Sequence, residues 1–141
     1  MHEALGRIEK GTSRLEDELH EMTDGLEAFR EELLEHFARE QEGAFPFVAQ
    51  RLPSEQERVD ELVAQHDRIA EAINAVVKDL HRADPTQPSP AIAAWSSALA
   101  RFDALYAEHT KTEVAFFSDV TAALGGDEAA TRQLRDLLAD G

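Results

Sequence analysis

Two histidine–glutamate pairs, His36 with Glu40 and His109 with Glu113, are each separated by four residues, and a third histidine, His66, stands between them in the chain. On an α-helix that spacing puts both members of a pair on one face, about one turn apart. Imidazoles and carboxylates without thiolate suit iron, manganese or zinc, and a carboxylate has two oxygens with which to bridge two ions. The chain has no cysteine, which removes thiolate ligands, disulfides and cysteine nucleophiles together.

The surrounding residues predict the helices that would position these groups. Apolar residues recur at helical spacing in three stripes: Leu5, Ile8, Leu15, Leu19, Met22, Leu26, Phe29 and Leu33; then Val59, Leu62, Val63, Ile69, Ile73, Val76 and Leu80; then Ile92, Trp95, Leu99, Phe102, Leu105, Phe116, Val120 and Leu124. His36 and Glu40 continue the first stripe, His66 lies within the second, and His109 and Glu113 fall within the third. Buried ionisable groups cost several kcal/mol unless they are paired or bound to a metal. One histidine on such a seam is ordinarily a hydrogen-bonded core residue. Five titratable groups in phase on three helices point to a metal site in a bundle core.

Breaks between the helices are expected at Leu52-Pro53-Ser54, at the Pro-rich run from Ala83 to Pro90, and at Gly125-Gly126-Asp127. Ser54 and Glu57 have the spacing of a capping box, and Asp127 is placed to cap a short last helix. No strand alternation interrupts the pattern. The expectation is an all-α, up-down four-helix bundle with a short extra C-terminal helix, forming one domain over residues 1–141.

With 14 basic against 29 acidic residues the net charge is −15, which disfavours nucleic acid or an anionic membrane as partner. No apolar run approaches the roughly 18 residues of a membrane span, and the N-terminus lacks the layout of a secretion signal, so a cytoplasmic protein is expected. No Gly-rich phosphate loop or Ser-His-Asp constellation appears.

These stretches resemble the hemerythrin-like, or HHE cation-binding, domains. The likeness is carried by Leu34-Glu35-His36-Phe37-Ala38-Arg39-Glu40-Gln41-Glu42 with Phe45-Pro46-Phe47, by Ala64-Gln65-His66-Asp67, and by Glu108-His109-Thr110-Lys111-Thr112-Glu113 with Phe116-Phe117. It implies a four-helix bundle around two non-haem iron ions, with manganese and zinc open to the same donor set, and a small diatomic or peroxide ligand. By motif, His36, His66 and His109 would be terminal ligands, and Glu40 and Glu113 bridging carboxylates. Reversible oxygen carriers of the family have a second histidine one turn from the third-helix ligand. Here Leu62 and Ala70 occupy those positions, so the chain is closer to the variant with four histidines and two glutamates.

The fourth histidine would be His2, which is in phase with Leu5; His20 falls one position off the stripe and reads as solvated, and His81 sits near a helix end. A turn at Thr23-Asp24-Gly25 would leave His2 and His36 roughly 15 Å apart in height. Alternatively residues 2–42 form one long helix, and a second copy of the chain in a homodimer could supply the missing wall. The leading functional expectation is a diiron protein that binds, senses or reduces O₂, NO or peroxide. The others are a helical interaction or regulatory module whose metal site is structural or vestigial, and a mononuclear zinc or manganese site of hydrolase type.

Overall fold

The computed structural model describes residues 4–82 and 88–139, with side chains detailed for residues 17–82 and 93–139. Helix α1 runs from Ala4 to Arg39 and passes through a π-turn, Glu40–Ala44, into the short α2, Phe45–Arg51. A 3₁₀ turn, Pro53–Glu55, leads into α3, Gln56–His81; α4, Pro88–Leu124, and α5, Glu128–Ala139, complete the chain. The all-α expectation holds, as a bundle of α-helices.

Of the two readings of the N-terminal region, the continuous helix is the one observed. Thr23 and Gly25 do not break it. The Thr23 hydroxyl donates back to the Leu19 carbonyl at 2.7 Å, satisfying itself inside the helix, and Gly25 costs only about 1 kcal/mol of propensity without a proline to enforce a turn. At the next break the capping box from Ser54 does not form. Pro53 opens a 3₁₀ turn instead, and α3 begins at Gln56 with no side-chain cap. At the last break Gly125 takes φ +55°, the left-handed conformation that ends α4, and Asp127 Oδ1 accepts from the Ala130 N–H at 3.0 Å to cap α5.

Helix α3 is the middle of the bundle. It runs antiparallel to α1, as the Arg30–Asn74 hydrogen bond and the Glu27–His81 ion pair show, and it packs along α4 over most of its length. Two apolar clusters form the core. One, around Phe45, Val48, Leu62, Phe116, Val120 and Leu134, ties α2, α3, α4 and α5 together. The other, around Leu33, Phe37, Ile69, Ile73, Val76 and Phe102, ties α1, α3 and α4. The polar seam residues lie between the two clusters. No helix among the described residues is long and apolar enough to cross a membrane.

Candidate metal centre

Three elements aim side chains at one point between the clusters. Glu40 opens the π-turn after α1, His66 lies mid-way along α3, and His109 and Glu113 lie one turn apart on α4. One ligand atom from each of the four lies within 4.8 Å of the others. His66 Nε2 is 3.1 Å from Glu40 Oε1 and 4.0 Å from Glu113 Oε2, and His109 Nε2 is 3.1 Å from Glu113 Oε2. Glu40, His66 and His109 are buried, and Glu113 is one-fifth exposed.

The imidazoles are held from behind. His66 Nδ1 donates to Gln41 Oε1 at 2.8 Å, and His109 Nδ1 donates to Gln65 Oε1 at 2.7 Å. With the proton on Nδ1, each Nε2 presents a lone pair to the centre. The π-turn contributes here, because its wider turn swings consecutive side chains through a smaller angle, so Glu40 and Gln41 both reach α3. Phe37 lies flat on the His66 ring, with centroids 3.8 Å and planes 6° apart, and fixes the ring's tilt.

Four buried atoms, Glu40 Oε1, His66 Nε2, His109 Nε2 and Glu113 Oε2, have no hydrogen-bond partner in spite of their mutual proximity. Their lone pairs converge on a common point instead of on each other. Buried polar atoms are almost always satisfied, so four orphans facing one another fit the donor set of a cation. Electrostatics agree. Burial works to raise both carboxyl groups; for Glu113 the imidazoles of His109 and His66 outweigh it and hold the group down to about 2, whereas for Glu40 burial prevails and the group is raised. Burial disfavours a charged His66, but Glu113 and Glu40 overcome that and raise it. A cation would remove this competition for protons.

His36 stands beside this cluster, its Nε2 3.5 Å from Glu40 Oε2 and its side chain 35% exposed. His2 lies outside the described residues. His20, one position off the stripe, pairs with Asp24 in solvent, and His81 pairs with Glu27 at the end of α3, away from the centre. Gln41 and Gln65 were not expected. Each follows or precedes a seam group by one residue, and that adjacency is the only trace they leave in the sequence.

A helical bundle with a buried, partnerless His/Glu cluster between two apolar layers defines a cation-binding bundle protein. The hemerythrin HHE cation-binding domain model matches residues 1–118, and the chain belongs to that family. Helix α5 lies beyond the matched stretch. Neither a curated protein nor a solved structure gives a significant match.

Proposed function

We propose that this metal-binding hemerythrin-like chain is a non-haem diiron protein that binds, senses or reduces a small oxidant such as O₂, NO or peroxide. The observation that carries it is the division of Glu40 between two neighbours. Oε1 faces His66 at 3.1 Å while Oε2 faces His36 at 3.5 Å, the disposition of a carboxylate shared by two ions. His36, His66 and His109 would hold the ions through imidazole and Glu40 and Glu113 through carboxylate, with His2 the remaining candidate ligand. Held there, a pair of irons would supply an open coordination position and a store of electrons for a small oxidant.

The residues around them would set the conditions for that chemistry. Gln41 and Gln65 hold two imidazoles in fixed orientation through their Nδ1 atoms. Phe37 and Phe116 exclude water from the inner side, being 4% and 0% exposed. Glu113 borders an open surface groove of about 500 Å³ lined also by Val114, Phe117, Ser118 and Thr121, and is the member of the cluster through which a small oxidant would meet solvent.

The test is metal content and the visible spectrum after anaerobic reconstitution with ferrous iron, before and after air. Two irons per chain with oxo-bridge charge-transfer bands are expected. Less than one equivalent of any metal would overturn the proposal and favour the helical interaction module.

A further inference from the structure

We infer, building on that metal-centre reading, that α5 is a positioning element of the centre. It holds the π-turn in the register that lets Glu40 and Gln41 reach His66, so that docking of α5 and metal binding are coupled. In the π-turn the Phe45 N–H donates to the Glu40 carbonyl five residues back, where an α-helix would use the fourth. Such turns are rare within α-helices, so contacts from the rest of the fold must favour this one. Two sets of contacts do so. On the inner side Glu40 and Gln41 face His66, and on the outer side Gly43 and Ala44 meet α5.

Helix α5 lies as a splint along that stretch. Gly125, with its positive φ, turns the chain back at the end of α4, and Asp127, just before α5, pairs with Arg51 at the end of α2 at 3.2 Å. Near the other end of α5, Leu137 lies over Gly43, its Cδ2 3.3 Å from where a Cβ would stand. The two contacts make α5 antiparallel to residues 43–51. Ala44 and Ala130, both fully buried, share a cluster with Phe45 and Leu134, and their small side chains bring α5 close to the π-turn. The helix packs more extensively on the π-turn than on α4, the helix it follows. A surface ion pair such as Arg51–Asp127 contributes at most about 1 kcal/mol, so the apolar contacts at Leu134 and Leu137 set the position.

The two halves of the centre depend on α5 differently. Glu40 and Gln41 stand on the π-turn, whereas Gln65 and His66 stand on α3 and His109 and Glu113 on α4, two helices that pack along most of their length. The bond from His66 Nδ1 to Gln41 Oε1 therefore crosses from α3 to the π-turn. The bond from His109 Nδ1 to Gln65 Oε1 stays between α4 and α3. Loosening α5 disturbs the first bond and spares the second, while an element that only added stability would act on both alike. The coupling is also reciprocal: an ion that draws Glu40 to the centre favours the docked α5 to the extent that docked α5 favours the ion.

The test uses Leu137→Ala in the full chain, which removes the side chain over Gly43 and leaves Leu134 in the core, and Leu137→Met, which keeps the bulk. The first readout is the pair of hydrogen-bonded Nδ1–H proton signals of His66 and His109 in the metal-free protein. In Leu137→Ala the His66 signal is expected to be lost to exchange with water and the His109 signal to persist, with Leu137→Met like the wild type. Equal behaviour of the two signals, both kept or both lost, would overturn the inference. Zinc is the probe for the second readout. Leu137→Ala is expected to bind it about 10-fold more weakly in a chelator competition, the low end for loss of a supporting contact, and equal affinity would overturn the inference. The third readout is amide exchange in the wild type, where zinc is expected to slow exchange at Ala130–Leu138 more than at Val77–Leu80, at the far end of α3. The reverse order, or no difference, would count against the coupling. The metal-centre reading is judged separately: a wild type that takes up no zinc sinks that reading, while the two signals of the metal-free protein still decide the role of α5.

Discussion

His66 and His109 can present Nε2 to the centre because each Nδ1 is already engaged by a glutamine from the neighbouring element: Gln41 holds the α3 histidine and Gln65 holds the α4 histidine. Replacing Gln65 by leucine removes the acceptor from a buried N–H and frees the ring to change tautomer. Loss of such a support typically lowers metal affinity about 10–100-fold. Gln65→Leu is therefore expected to bind metal more weakly in a chelator competition at unchanged helicity, and Gln65→Glu, which restores an acceptor, to recover it; equal affinity in the leucine variant would remove Gln65 from the site. Glu40 makes the opposite point about stability. Burial raises its carboxyl above the ordinary 4.5, so the unfolded chain gives up that proton first and stability is lost as pH rises from 4.5 through the raised value. Glu40→Gln should stabilise the metal-free protein at pH 7 by about 1 kcal/mol while abolishing metal binding, with the gain vanishing below pH 4.5. A Glu40→Gln protein less stable than wild type at pH 7 in thermal denaturation would contradict this. The histidines and glutamates were legible because a titratable group on an apolar seam is conspicuous. The glutamines were not, because a glutamine beside a seam residue is indistinguishable in sequence from a solvated one.

At the level of elements, the seam periodicity located the long helices, and the breaks located the ends of α3 and α4, whereas α4 starts at Pro88, inside the run expected to be a break. Two features escaped it for local reasons. The π-turn at Glu40–Ala44 adds its extra residue with only a single glycine, Gly43, inside it and no proline, and the Ser54 box was displaced because Pro53 favours a tight first turn. The π-turn is braced from outside by α5, whose Leu137 Cδ2 lies 3.3 Å from where a Cβ on Gly43 would stand. Leu134 anchors that helix in the core beneath Phe45 and Val120, only 3% exposed. Leu134→Ala is expected to cost about 2–4 kcal/mol in urea denaturation, through lost burial and a residual cavity. A cost well under 1 kcal/mol would mean that α5 rests on the bundle without contributing to it, and that the π-turn holds Glu40 and Gln41 in place unaided.

Over the whole molecule, a charge of −15 attracts any cation, and a stabilising effect of added metal does not by itself identify a site. The two origins differ in their dependence on particular residues. Screening of surface repulsion acts through ionic strength and grows gradually with salt, because the acidic side chains are spread over exposed helix faces. Binding at the centre instead acts through four buried atoms that otherwise lack partners, and it saturates. A ligand at about a hundred times its dissociation constant stabilises the folded state by about 2.7 kcal/mol, which for a domain of this size is a rise of roughly 5–10 °C in Tm. Ferrous iron, manganese or zinc at micromolar concentration is therefore expected to raise the wild-type Tm by that order in a background of high sodium chloride, where surface attraction is already screened. Glu113→Gln, which keeps the shape of the side chain but surrenders the carboxylate closest to His109, should respond to sodium chloride as the wild type does and should lose most of the response to the transition metal. If the variant and the wild type gain equally from the metal, the stabilisation comes from the acidic surface, and the convergence of Glu40, His66, His109 and Glu113 reflects proton sharing within the core.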